Sequence, residues 1–264
     1  MRQHKTMRVT FPNQNGDMIA GRLEMPLDEQ PTHIGLFSHC FTCSKEFFAP
    51  TKVSKALADR GIAMMRFDFT GLGDSEGDFS SSSFSTNIGD LCAGAQFLED
   101  EYGIAPSLLI GHSFGGTTSL AATQHLPAVK AVATIGSPQD PSHVMRHFEQ
   151  HQQLLERDGF IEIEVAGRKY TLKKSFMDDL GSHDVEQNTR DFDGAVFVFQ
   201  SPEDDMVAWK NAEVIYERAS GPRFIIRMNG VSHMLDKPEE AAMVAGILSS
   251  WLQDGEKPQK VYAS

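Results

Sequence analysis

After residue 30, short apolar runs alternate with stretches in which apolar positions return every three or four residues. Ile34 to Ser38, Ile62 to Phe67, Ser107 to Ile110, Val129 to Ile135, Ala195 to Gln200 and Arg223 to Met228 read as buried strands. Pro50 to Asp59, Asn87 to Glu101, Phe114 to His125, Trp209 to Ala219 and Glu239 to Leu252 carry the helical period. Upstream, Val9 to Pro26 reads as a β-hairpin, because its apolar runs flank Asn15-Gly16, a dipeptide suited to a turn with positive φ. Two antiparallel strands followed by six strand–helix units predict an α/β fold: an eight-stranded, mostly parallel sheet covered by helices on both faces.

The rhythm breaks between Pro138 and Arg190, where no buried strand occurs. A helix over Ser142 to Arg157, a small hairpin around Gly167 (Phe160 to Leu172) and short helices over Lys173 to Leu180 and Asp184 to Arg190 are expected instead. An insertion of about 50 residues between sheet strands reads as a cap over a site. The expected organisation is one domain over 1–254, with a cap at about 138–190 and a polar, disordered tail over 255–264. The Ser80 to Ser83 run reads as a solvated, mobile loop.

The chain has 264 residues, without internal repeat or long linker. Lys and Arg total 24 against 36 Asp and Glu, a net charge of −12, which argues against a nucleic-acid or anionic-membrane binder. No run of 18 apolar residues occurs, and the basic Met1 to Thr6 stretch leads into no apolar segment, so neither a membrane span nor a secretory signal is expected. Three cysteines build no disulfide framework, which points to a reducing compartment and a cytoplasmic protein.

The pattern G-x-S-x-G occurs twice, at Gly73 to Gly77 and at Gly111 to Gly115. The chemistry needs a sharp turn between a strand and a helix, so that the serine stands exposed at a sheet edge. Ser107 to Ile110 and Thr117 to His125 supply strand and helix around Ser113, whereas a polar, Ser-rich loop follows Ser75. Ser113 is therefore the candidate nucleophile and Ser75 a loop residue. A serine hydroxyl needs a base, and the base an orienting acid, here expected in the order Ser, acid, His. Asp204 in Ser201 to Val207 follows one strand and His233 in Gly230 to Leu235 follows the last. Asp204 is favoured over Asp205, which is left as a surface acid or a helix N-terminal charge. His112 is expected to pack beside the nucleophile and His39 to order its loop. The oxyanion donors are expected to be the backbone N–H of Phe114 and one from His39 to Lys45, with Phe41 chosen and Cys40 in reserve.

Together these residues resemble the α/β-hydrolase superfamily over nearly the whole chain. The stretches His39-Cys40-Phe41-Thr42-Cys43-Ser44-Lys45, Arg66 to Gly77 and Gly111 to Gly116 are similar to one bacterial subgroup, in which such a hydrolase domain is often fused to an OsmC-type domain. Ile135 to Pro141 and Ser201 to Asp204 are similar too. The resemblance implies an α/β-hydrolase fold, a Ser113–Asp204–His233 triad and an oxyanion loop at Phe41. The residues after Trp251 are too few for an OsmC domain, so a separately encoded OsmC-type partner is one expectation. Many superfamily members carry His-Gly where this chain has His39-Cys40.

The leading expectation is a serine esterase or thioesterase acting on a small or medium acyl substrate without a metal or organic cofactor. Amidase, peptidase and acyltransferase chemistry share the same groups. Haloalkane dehalogenation would need Asp at position 113. In the expected cap, Met145, Phe148, Leu154, Leu155, Phe176, Met177 and Leu180 offer an apolar lining, serving first the cap's own packing. Arg146, His147, Lys173 and Lys174 are read first as solvated surface. Cys40-x-x-Cys43 has the spacing of a redox pair or half a zinc site. A zinc site lacks two further ligands, and the default reading is two small residues packed in a turn. A thiol-redox protein using this pair, and a non-catalytic binding module, are the alternative functions. Cys92 falls on an apolar helix face and reads as core.

Overall fold

Asn13 turns the chain back on itself. Its Oδ1 accepts the N–H groups of Asn15 and Asp17 at 2.9 and 3.0 Å, and strands β1 (His4–Pro12) and β2 (Met18–Pro26) pair antiparallel beyond it. The structure, a computed structural model, describes residues 3–27, 30–165 and 167–254. The polar tail from Gly255 lies outside the described residues.

The remaining strands of the main sheet are β3 (His33–Ser38), β4 (Ile62–Phe67), β5 (Leu108–His112), β6 (Ala131–Ile135), β9 (Ala195–Gln200) and β10 (Arg223–Arg227). They lie in the order β1-β2-β4-β3-β5-β6-β9-β10, antiparallel from β1 to β4 and parallel from there on. The α/β architecture, eight-stranded and mostly parallel, is thus the one the apolar runs predicted.

Parallel central strands must bury both faces, and side chains alternate between two cores. Leu36 and Leu109 enter one core, with Leu91 and Leu98 of α2 (Phe84–Tyr102) and Leu120 of α3 (Phe114–Ala122). Phe37 and Ile110 enter the other, with Val53 and Leu57 of α1 (Phe48–Ala58) and Val244 and Leu248 of α8 (Pro238–Asp254). Each such side chain contributes about 1.5–3 kcal/mol, which fixes the register, since a one-residue slip exchanges the faces.

Between β6 and β9 the chain leaves the sheet. A 3₁₀ stretch over Pro141–His151 opens with Asp140 accepting the Ser142 N–H, and continues into α4 (Gln152–Asp158). Strands β7 (Phe160–Val165) and β8 (Arg168–Lys173) form a separate hairpin, followed by α5 (Lys174–Leu180) and α6 (Val185–Asp191). One helix over Ser142 to Arg157 was expected. Buried Pro141, Val144 and Phe148 are three and four residues apart, a spacing that serves a 3₁₀ turn as well as an α turn. Leu155, Phe176 and Leu180 are buried here, whereas Leu154 is exposed; the His147 side chain lies outside the described ones.

The serine run holds a 3₁₀ turn and a helix cap where a loop was expected. Asp78 caps a 3₁₀ turn at Phe79–Ser81, and the Ser82 hydroxyl donates to Phe79 O at 2.7 Å. Ser83 accepts the Thr86 N–H and starts α2 at Phe84, three residues before the predicted boundary. Beyond α7 (Trp209–Arg218), α8 completes the cover. Among the described residues no helix is long and apolar enough to cross a membrane.

Ser83→Ala is expected to lower the unfolding free energy by about 1 kcal/mol, and Ser83→Asp to leave it nearly unchanged. Urea titration of the three proteins checks this, and an undiminished midpoint for the alanine variant would refute the cap.

Candidate active site

Six parallel strands end at one edge of the sheet, and Ser113, Asp204 and His233 all lie in the connections that follow. Ser113 comes directly after β5, with φ 53° and ψ −126°. An L-residue there is strained by about 1–3 kcal/mol. Backbone bonds hold it: its N–H donates to Ile135 O at 2.8 Å, and its carbonyl accepts the Gly116 N–H at 2.9 Å. Two glycines allow the tight approach of α3 to the sheet. A Cβ on Gly111 would stand 2.2 Å from Gly115 O, and one on Gly115 would stand 2.2 Å from Ser38 O. The turn therefore follows from G-x-S-x-G only because α3 crosses directly beneath β3.

Asp204 Oδ2 lies 2.8 Å from His233 Nδ1, with Oδ1 at 3.1 Å. Asp204 Oδ1 also accepts the N–H groups of Met206 and Val207, both at 2.9 Å, and Gln200 Nε2 donates to Oδ2 at 3.2 Å. Burial pushes this carboxyl up, but the His233 contact and the two backbone donors outweigh it, so the pKa falls below the usual Asp value. An ionised carboxylate on Nδ1 makes that nitrogen the donor and leaves Nε2 with its lone pair. Asp205 is exposed and Asp204 makes these contacts.

His112 ties the two ends of the site together. Its buried Nε2 lies 2.7 Å from His233 O; a carbonyl only accepts, so Nε2 carries the proton. Burial pulls the His112 pKa down to about 4, and the ring is neutral near pH 7. Gly136 follows Ile135, the acceptor of the Ser113 N–H, and a Cβ there would lie 3.1 Å from Asp204 Oδ2 and 3.3 Å from His233 Nδ1. Ser113 thus shares an immediate backbone neighbour with the Asp204–His233 pair. Among the described residues no hydrogen bond joins the Ser113 hydroxyl to the His233 ring. Hydrogen bonds of this kind often tighten only when substrate is bound.

The loop after β3 borders the same edge. His39 Nδ1–H donates to Cys40 O at 2.8 Å, and its Nε2 accepts the Phe69 N–H at 3.3 Å. Burial lowers the pKa of His39 against the pull of Asp68, and the ring braces the loop rather than facing Ser113 as a base. Phe41 packs edge-on against Phe114, with ring centroids 5.6 Å apart, and also meets Phe79, Phe148 and Phe176. Lys45, deeply buried, bonds Asp68 through its backbone N–H (2.6 Å) and its Nζ (2.5 Å), and reaches Asp74 at 2.7 Å. Cys40 and Cys43 are joined by a disulfide, which corrects the default expectation of two packed thiols. Cys92 is free and half-buried.

Ser75, in the other G-x-S-x-G, donates to Asp68 O at 2.7 Å and accepts the Ala20 N–H at 2.9 Å, so its hydroxyl fastens a loop to the hairpin. Sequence reasoning missed Gln200 and the role of the His112 ring. Gln200 ends a strand and carries no catalytic pattern, and the partner of His112 is far away in the chain. Among the described residues no group of three or more His, Cys, Asp or Glu side chains is disposed to hold a metal ion.

Comparison with known proteins adds to this geometry. The family model for serine aminopeptidase, S33, matches residues 31–158. The esterase domain of a Rhodothermus marinus protein is 35% identical, with a TM-score of 0.75 over 95% of this chain and 98% of that one. Est1E of Butyrivibrio proteoclasticus, solved with ferulic acid, shares the fold with a TM-score of 0.78 at 18% identity, over 93% of this chain and 98% of Est1E. The mitochondrial palmitoyl-protein thioesterase ABHD10 of Homo sapiens is 23% identical over 197 residues, 70% of this chain and 61% of that protein. For the Rattus norvegicus protein the values are 24% over 169 residues, 61% of this chain and 55% of that protein. The matched part of this chain thus spans less than two thirds of the curated relatives' length.

The neutral His112 sets a pH dependence. Its folded pKa of about 4 lies below the ordinary histidine value, so the unfolded chain takes up the proton first. The stability it contributes is complete above about pH 6.5 and is lost as the pH falls towards the folded value. Between pH 7 and 5 the loss is roughly 2 kcal/mol. His112→Gln keeps a donor for His233 O but does not titrate. Wild type should lose about that much more unfolding free energy over this range than the variant. Asp90, raised to about 6 by burial, acts in the opposite direction in both proteins and cancels in the difference. Parallel stability profiles would show that His112 is not held neutral.

Proposed function

The chain belongs to the α/β-hydrolase superfamily and is a hydrolase, and from that premise we propose that it is a serine carboxylesterase or thioesterase working through an acyl-enzyme on Ser113. The observation that carries this reading is the 2.8 Å contact between His233 Nδ1 and Asp204 Oδ2, at the sheet edge where Ser113 also lies. An ester or thioester substrate is supported by the 35% identity to an esterase domain and by the similarity to thioesterases.

In the proposed reaction, His233 Nε2 takes the Ser113 proton as Oγ attacks the acyl carbon. The imidazolium that forms is stabilised by the Asp204 carboxylate, which stays ionised because its own hydrogen bonds hold its pKa down. The Phe41 and Phe114 N–H groups take the oxyanion. Collapse of the tetrahedral intermediate expels the alcohol or thiol, which receives the proton from His233. A water molecule, deprotonated by the same nitrogen, then attacks the acyl-enzyme and releases the acid.

Residues 138–190 serve in this reading as the cap. Phe148 and Phe176, from the inserted segment, pack on Phe41, and Phe176 also meets Phe114. The side chains of both proposed oxyanion residues thus pack against the inserted segment. In this reading the acyl group is small or medium.

Labelling with a fluorophosphonate, read by intact mass, tests the nucleophile. Wild type should gain one adduct and Ser113→Ala none. Folded wild type without an adduct, or equal labelling of both proteins, would overturn the reading. Asp204→Asn should lower kcat on an ester by on the order of 10³–10⁴, by leaving the base in the wrong tautomer. A panel of an ester, a thioester and an aminoacyl amide of one acyl group then ranks the leaving groups; preference for the amide would replace esterase by amidase.

A further inference from the structure

The Cys40–Cys43 bridge closes a four-residue turn, in which the Cys43 N–H also bonds Cys40 O at 3.1 Å. So short a loop restrains the unfolded chain far less than a bridge spanning a domain. The loop is fixed by other means as well: the His39 ring bonds Cys40 O and the Phe69 N–H, and Lys45 is anchored through both backbone and side chain to Asp68. Mechanical support is therefore a weak reason for the bridge.

The two sulfurs differ in access. Cys40 is buried, whereas Cys43 is half-buried and lines a cavity of about 370 Å³ outside the loop. The same cavity is bounded by Asp74 and by Arg168 of β8. Asp74 is 70% exposed, and its hydrogen bond to Lys45 and the Lys45 charge keep its carboxyl below the ordinary Asp value, so it is a carboxylate at neutral pH. Arg168 is exposed. Glu46, also exposed on this cavity, is paired with Arg22 at 3.0 Å, which leaves Asp74 and Arg168 as the accessible anion and cation beside an approachable disulfide sulfur.

We propose that Cys40–Cys43 is a thiol–disulfide exchange site, entered at Cys43, for a low-molecular-weight thiol of the amino-acid type. Its ammonium group meets Asp74 and its carboxylate meets Arg168. The thiolate attacks Cys43 Sγ, a bond forms between the two sulfurs, and the Cys40–Cys43 bond breaks with its electron pair leaving on Cys40, which then takes a proton. A second thiolate attacks the small-molecule sulfur of the mixed disulfide, releases the free disulfide, and leaves Cys43 reduced. Two thiols are oxidised to one disulfide and the protein gains two electrons and two protons. Run backwards, Cys40 resolves a mixed disulfide on Cys43.

The site is distinct from Ser113 chemistry, and its test needs no substrate turnover. Protein isolated without reductant is treated with L-cysteine, cysteamine, 3-mercaptopropionate or 2-mercaptoethanol, and the protein thiols formed are counted by maleimide mass shift. Rates are compared per thiolate. L-cysteine should react with saturation and about tenfold faster than the other three, the increment expected of a charge-assisted pair. Asp74→Asn and Arg168→Gln should each reduce the ratio of the L-cysteine rate to the 2-mercaptoethanol rate measured on the same variant, a ratio in which a general change of Cys43 access cancels. Cys40→Ser incubated with cystine should carry one cysteinyl group, mapped to Cys43. Three free thiols in the protein as isolated, equal unsaturable rates for all four thiols, or an adduct confined to Cys92 would each overturn the proposal.

Discussion

The buried carboxylate of Asp68 positions the loop beside the candidate site. It is enclosed at the end of β4 and accepts three donors: the Lys45 backbone N–H, the Lys45 ammonium, and the Asp74 N–H at 2.8 Å. Removing the Lys45 charge would leave the Asp68 carboxylate buried and without its cation, at a cost of about 3–5 kcal/mol. Directionality distinguishes the pair from an apolar contact of the same volume. Donors from the loop after β3 and the loop after β4 must converge on two oxygens, which fixes each loop against the other. Arg66 extends the tie, bonding Lys45 O at 2.8 Å and pairing with the buried Glu24 of β2. The antiparallel hairpin is thereby joined to the functional edge by charge as well as by strand pairing.

A second polar layer works on the same principle at the other side of Ser113. Asp204 is paired not only with His233 but with backbone N–H groups of its own turn and with Gln200, so its charge is held by several dipoles. His112 contributes by staying neutral: a positive ring there would add a charge beside His233, and burial prevents it. Backbone N–H groups and Gln200 thus add to the His233 contact in holding Asp204 ionised, and burial keeps His112 neutral.

The strands could be read from sequence because burial on both faces demands uninterrupted apolar runs, and Ile62–Phe67 and Ala195–Gln200 begin and end where those runs do. Helix ends were less visible. Ser83 sits in a run of four serines, and only the position of Thr86 shows which one caps α2. Residue order was enough to nominate Asp204 and His233, since each follows a strand that ends at the same edge. Gln200 and the His112 contact could not be seen, because a glutamine ending an apolar strand and a histidine inside a glycine turn acquire their roles only from partners distant in sequence. The Cys40–Cys43 spacing permits a bridge but does not require one. The turn closed by the Cys43 N–H on Cys40 O brings the sulfurs together.

The torsion at Ser113 has a consequence for how such a chain can change. The turn holds a side-chain-bearing residue where the backbone prefers none, and the cost is borne whatever that side chain is. Glycine would relieve the strain and remove the hydroxyl together. Heritable variation that favours a sturdier fold and variation that favours turnover are thus opposed at one dihedral angle. A lineage released from the need for hydrolysis could drift towards robustness at this codon first, keeping its sheet, its ion pairs and its outline while its chemistry disappears.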